Sequence, residues 1–148
     1  MRLTSLLWYG PKVMAKVEQQ VQRNMDKAAI YLQGEVVRSF GSPTALPAGG
    51  VRNARGRSIS AKKWRSMQHS APGDPPFIQL GNLKRSITWA TPSRLIRYVG
   101  SALQPQGGSP SYALCLEYGT SKMAARPFLR PALAKCRRAI FRIIALGK

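Results

Sequence analysis

The sequence predicts an α+β fold: a long N-terminal helix and a C-terminal helix packed on a small antiparallel sheet, with a long basic loop. Three observations carry this. Residues 11–40 and 129–146 repeat apolar positions at the helical period. Residues 82–101 alternate apolar and polar side chains around a turn. Residues 41–80 hold no apolar periodicity at all. The length, 148 residues, is that of one ordinary domain. Residues 1–148 are therefore expected to form one, with 1–10 as an N-terminal arm and 41–80 as an extended basic loop.

The first helix is expected to open at Pro11, which tolerates the first turn because its missing N–H has no partner there. Val13, Val17, Val21, Met25, Ala28, Leu32 and Val36 follow at spacings of three and four, which places them on one face. Gly41 and Pro43 end it. The next forty residues hold ten of the chain's glycines and prolines, including the Gly49-Gly50 pair. A short helix at 60–68 is the regular element this stretch can accommodate.

Residues 82–91 read as a strand with Leu83, Ile87 and Trp89 on one side. Thr91-Pro92-Ser93-Arg94 is turn chemistry, and residues 95–101 supply the return strand. Residues 102–110, with Gly107-Gly108, form a loop. Residues 111–119 fit either a third strand or a short helix. Ser111 as N-cap and Gly119 as stop favour the helix. Pro127 and Pro131 set the entry of the last helix, whose stripe is Leu129, Leu133, Cys136, Ile140 and Ile143 or Ile144. Arg130, Lys135, Arg137, Arg138 and Arg142 cover its other faces.

The chain carries 24 Lys and Arg against five acids, a net charge of +19. Nucleic acid, an anionic surface or an acidic protein is the partner class such a field attracts. The excess is uneven: the 41–80 segment is +5 and residues 121–148 are +8. Arg52, Arg55, Arg57, Lys62, Lys63 and Arg65 fall within 14 residues with no acid between them, and Trp64 sits among them. Such a cluster contacts phosphates without reading bases, and an aromatic ring beside it can stack on a nucleotide. The competing reading is a solvated charged loop.

The same composition argues against catalysis. Glu18, Asp26, Glu35, Asp74 and Glu117 are scattered, whereas two-metal phosphoryl chemistry needs carboxylates that converge. His69 is the single histidine and lies in a Ser/Pro/Gly-rich stretch. Cys115 and Cys136 form neither a CxxC pair nor a zinc spacing. No glycine-rich phosphate cradle is present, so no cofactor, metal or catalytic residue is expected. No apolar run approaches the roughly 18 residues of a spanning helix, and Leu6-Leu7-Trp8-Tyr9 is short for a signal-peptide core. No membrane partner is expected.

Three stretches carry a resemblance. They are Ser70-Ala-Pro-Gly-Asp-Pro-Pro-Phe77 leading into Gly81-Asn-Leu-Lys-Arg-Ser-Ile87, then Tyr112-Ala-Leu-Cys-Leu-Glu-Tyr-Gly-Thr120, then Ala125-Arg-Pro-Phe-Leu-Arg-Pro-Ala132. In this order and spacing the chain resembles the tail-component (tail completion, head–tail joining) family of lambdoid tailed phages and prophages, over roughly residues 10–146. The Arg-Pro-Phe-Leu ending is also similar to a virion-morphogenesis family of Mu-like phages. The resemblance implies a structural protein of the virion neck or upper tail, made in the host cytoplasm. It further implies a ring around the DNA passage, contacting neighbouring neck and tail proteins without catalysis; we take a hexamer as the expected form of that ring. The basic cluster at 52–65 departs from the family pattern, and it is expected to face the DNA channel or an acidic partner ring. The alternative is a free, sequence-independent nucleic-acid-binding protein.

Glu117, Tyr118, Arg126, Phe128 and Arg130 are the expected assembly interface. Phe128, held between Pro127 and Pro131, suits an apolar anchor in a pocket of its own subunit or of a neighbour. Glu117 is the one acid in residues 75–148, and it is expected to pair with Arg126 or Arg130.

Overall fold

Seven elements order the chain in a computed structural model, which describes residues 9–105 and 111–147. They are α1 (Gly10–Ser39), α2 (Ala61–Met67), α3 (Asn82–Ser86), β1 (Ile87–Ser93), β2 (Ile96–Ser101), α4 (Tyr112–Tyr118) and α5 (Leu129–Leu146). Most of the expected arm and the Gly107-Gly108 pair lie outside the described residues. The two long helices pack on a two-stranded antiparallel sheet, an α+β arrangement.

α1 and α5 lie antiparallel. The Asn24 side chain donates to the Ile144 carbonyl at 3.0 Å, and Lys27 Nζ donates to the Gly147 carbonyl at 3.0 Å. A cation at the C-terminus of α5 also meets the negative end of the helix dipole. The other end of the pair forms the core: Val36, Phe40, Ile87, Ala113, Leu116, Phe128 and Ala132. The Phe40 and Phe128 rings sit 5.4 Å apart, tilted by 45°, a favourable aromatic geometry.

The predicted apolar stripe of α1 is therefore covered along half its length. Ala28, Leu32 and Val36 pack inward, whereas Val13 and Val17 are 55% and 53% exposed. The cause is length: the C-terminal end of α5 lies at the level of Asn24 and Lys27, Val21 and Met25 are half-buried, and the exposed valines lie beyond. In α5 the buried row is Ala132 and Cys136, and Leu133 faces outward instead.

The segment predicted as one strand from residue 82 is split. Gly81 adopts a left-handed conformation (φ +77°), and Asn82–Ser86 coil into α3. Local hydrogen bonds hold that turn: Arg85 Nη2 donates to Asn82 Oδ1, and Ser86 Oγ to the Leu83 carbonyl. Short polar side chains that bond nearby backbone compete with a strand in this way. β1 then pairs with β2 from Ile87↔Ser101 to Ala90↔Tyr98 and resumes at Ser93↔Ile96.

The interruption is a bulge. Thr91 and Pro92 oppose Arg97, and Pro92 has no N–H to donate to the ladder. Arg97 fills the irregularity. Its Nη1 donates to the carbonyls of Ser93, Arg94 and Ile96, and its Nε donates to Asp26 Oδ1 at 2.5 Å. One nearly buried guanidinium thus satisfies the bulge and clamps the hairpin to α1. Arg94 adds a second, exposed clamp to Glu18.

Residues 112–118 form a helix, closing the alternative left by the sequence. Ser111 caps it by accepting from the Leu114 amide. Gly119 stops it with φ +77° and ψ −179°, a region reserved for glycine. A Cβ there would lie 2.9 Å from both the Ala125 nitrogen and the Met123 carbonyl oxygen. Gly119→Ala is accordingly expected to cost about 2 kcal/mol, read as a lowered urea midpoint with unchanged slope.

Candidate functional site

The 41–80 stretch is more ordered than its composition implies. Its two ends meet where Gly41 donates to the Pro76 carbonyl and Ile78 donates to the Gly41 carbonyl. Thr44 donates through its amide and hydroxyl to Gln68 Oε1 at 2.8 and 2.7 Å, and Gln68 Nε2 returns a bond to the Thr44 carbonyl. The excursion is thus pinned at its base, and its far part is shaped by Asn53 and Ser60.

Asn53 Oδ1 accepts from the amides of Arg55 and Arg57, both at 3.0 Å, while its own amide donates to the Arg57 carbonyl. Gly56 makes the turn at φ +72°. Ile59, which is buried, returns its amide to the Val51 carbonyl at 2.7 Å. Ser60 then caps α2 by accepting from the Lys63 amide. Arg52, Arg55 and Arg57 ride on the tight turn, and Lys62, Lys63 and Arg65 on the short helix directly after it; all six are exposed. Asn53→Ala is expected to leave global stability within about 0.5 kcal/mol while speeding hydrogen exchange at the Arg55 and Arg57 amides, read by NMR.

Charge compensation is distributed unequally. Glu18 pairs with Arg94, Asp26 with Arg97, Glu35 with Arg38 and Lys135, and Glu117 with Arg130. None of the six loop cations makes an ion pair among the described residues. Their field is uncompensated, which is the condition a polyanion exploits by releasing its counterions. Trp64 is half-buried, and its indole N–H is shielded, with no hydrogen-bond partner among the described residues.

The second candidate region is the junction of α4 and α5, and here the geometry revises the expectation. Glu117 is buried. Its carboxylate accepts from the amides of Phe128 at 2.8 Å, Leu129 at 3.0 Å and Arg130 at 3.0 Å. It is a capping group for α5, supplied from another helix. Its ion pair with Arg130 is long, 3.9 Å, and secondary. Arg126 does not pair with it; its Nε donates to the Ser70 carbonyl at 3.0 Å.

Phe128 is wholly buried in its own chain, so it anchors this subunit's core and not a neighbour's pocket. Among the five expected interface residues, Tyr118 and Arg130 are the exposed ones. The Arg130 guanidinium lies 4.4 Å over the Tyr118 ring. Hydrogen bonding to Tyr118 holds its pKa above the ordinary arginine value.

The three stretches singled out in the sequence converge at this junction. Gly73 donates to the Ala125 carbonyl and Arg126 donates to the Leu116 carbonyl. Together with the Arg126–Ser70 and Glu117–Phe128 bonds, these tie residues 70–77, 112–120 and 125–132 into one unit. The sequence signal for the cap was indirect. Phe128 occupies the N-cap position of α5 without a capping side chain, so an acceptor had to come from elsewhere.

Among the described residues no group of three His, Cys, Asp or Glu is placed to hold a metal ion. His69 is exposed and engages Gln79. The two cysteines are not disulfide-bonded. Burial pushes the Cys136 thiol up, with Glu35 acting in the same direction. Among the described residues no helix is long and apolar enough to cross a membrane.

Comparison of the chain with family models, with curated proteins and with solved structures returns no match.

Proposed function

We propose that the chain is a non-enzymatic structural subunit of a tailed virion, joining or completing the tail at the neck as a ring around the DNA passage. The observation that carries this is the six-cation excursion: exposed, held in shape by Asn53 and Ser60, and without a single ion pair among the described residues. Its contacts with DNA are to phosphates, since no base-reading module accompanies it. A partly ordered basic loop on a rigid helical frame suits a wall along which DNA slides better than a site that holds one sequence.

Two further features support assembly. The three stretches that resemble the tail-component family build one hydrogen-bonded junction, which gives them a shared structural role. Large apolar side chains also stand exposed on α1, the hairpin and α5, among them Val13, Met14, Ile96, Tyr98 and Phe141. Such side chains, where they form a contiguous patch, suit contact with other proteins. Copies of the chain and flanking neck and tail proteins are the proposed partners, with the virion as its place.

Mass spectrometry of purified tailed particles tests this. The chain is expected in them at a fixed low copy number, and its absence from them overturns the proposal. The second reading, a free nucleic-acid-binding protein of the host cell, rests on the same cations. It predicts tight, salt-dependent DNA binding by the isolated monomer.

A further inference from the structure

We propose that copies of this chain join head to tail, the apolar N-terminal segment of one copy seated in the apolar groove beside Phe40 of the next. The contact deepens the ring reading above and rests on it only for closure.

The groove has a volume of about 590 Å³ and lies where the end of α1, residues 77–84 and α4 come together. Phe40 is its buried floor, Phe77, Leu83 and Leu103 are half-buried, and Leu80 and Tyr112 are exposed at its edge. Its lining includes a single charged residue, Lys84. A site of this size and character accepts apolar side chains.

The complementary feature stands at the opposite end of α1. α5 reaches back to Asn24, and the outermost hairpin contact is Arg94 with Glu18. Residues 10–17 project past both. Tyr9, Val13, Met14 and Val17 are exposed there, spaced as one helical face. The residues immediately before are also apolar: Leu3, Leu6, Leu7 and Trp8. One end of the helix thus carries exposed Tyr9, Val13, Met14 and Val17, and the other end an apolar groove among the described residues.

The two cannot meet within one molecule. α1 has 30 residues, about 45 Å at 1.5 Å per residue. Eight residues span at most about 28 Å when fully extended, so residues 1–8 do not reach back to the groove of their own chain. Those of a second copy face no such limit. Side chains spaced along one face of a segment, set into an apolar groove, are a general mode of recognition. A two-fold pairing of projecting ends would instead set Lys12 and Lys16 against themselves and leave both grooves open. The head-to-tail contact is heterologous, and its repetition closes a ring where the rotation allows.

Two substitutions and their mixture test this, using the full chain in sedimentation velocity, with circular dichroism confirming the fold. Leu7→Asp removes the segment's apolar character and Leu80→Asp places a carboxylate at the groove's edge. The wild type is expected to assemble with concentration, and each variant alone to assemble about tenfold more weakly or worse, because a buried unpaired carboxylate is costly. An equimolar mixture is expected to form dimers and stop there. The Leu7→Asp copy keeps its groove, the Leu80→Asp copy keeps its segment, and only one intact contact results. Three outcomes overturn the proposal: a wild type that is monomeric at about 100 μM, variants that assemble like the wild type, or a mixture as inert as its components. Absence of the chain from virions would remove the virion reading and leave this solution result standing.

Discussion

Glu117→Ala is expected to destabilise the chain by about 3–4 kcal/mol, a large share of the total stability of a domain this size. The first amides of α5 have no intrahelical acceptor, and its entry is set by Pro127 and Phe128, neither of which has a side chain that accepts hydrogen bonds. Glu117 meets three of those amides with both carboxylate oxygens. The bonds are charge-assisted, lie on a buried carboxylate, and sit at the positive end of the helix dipole. Alanine leaves three donors unmatched, the Phe128 amide buried in the core and those of Leu129 and Arg130 partly buried. Glu117→Gln is expected to lose about half as much, since the amide oxygen still accepts while the amide nitrogen faces other donors. Urea unfolding at constant slope measures both. A loss below about 1 kcal/mol for the alanine variant would show that the carboxylate does not organise the start of α5.

Replacing all six loop cations by glutamine is expected to flatten the salt dependence of DNA binding without unfolding the chain. Each neutralised phosphate contributes about −0.9 to the slope of log K against log salt, so the six account for about −5. A wild type with those contacts loses on the order of a thousandfold in affinity between 50 and 200 mM salt. The variant, with Arg52, Arg55, Arg57, Lys62, Lys63 and Arg65 all neutral, loses far less over that range. Stability should hardly change, because the side chains are exposed and make no ion pairs among the described residues. Fluorescence anisotropy with a labelled duplex reads the slope directly. An unchanged slope would transfer the contact to the other basic surface, residues Arg137, Arg138 and Arg142 of α5.

Periodicity made the long elements legible, because thirty and eighteen residues give several turns of repeat. The caps at Ser111 and Gly119 decided a seven-residue helix that periodicity alone could not. What periodicity could not tell was how much of each stripe is covered. Val13 and Ala28 belong to the same row, and only the length of α5 separates an exposed valine from a buried alanine.

Local hydrogen bonding shapes two stretches in ways the sequence pattern does not show. Asn82 and Ser86 bend the start of the predicted strand into α3, and Asn53, Gly56 and Ser60 organise a stretch whose composition reads as irregular. At the candidate sites the loop cations were visible as a run without acids. The capping role of Glu117 was not, because it joins residues eleven to thirteen apart through backbone amides that no residue pattern encodes. Arg97 was hidden for a similar reason: its role depends on a bulge that Pro92 creates and on Asp26 from α1.

Cryo-electron microscopy of the neck of purified tailed particles would locate this chain and its basic loop in place. A closed ring of this chain around the DNA passage is expected there, with residues 52–65 facing the lumen. A neck in which this chain is absent, or in which those residues point away from both DNA and any acidic neighbouring ring, would contradict it.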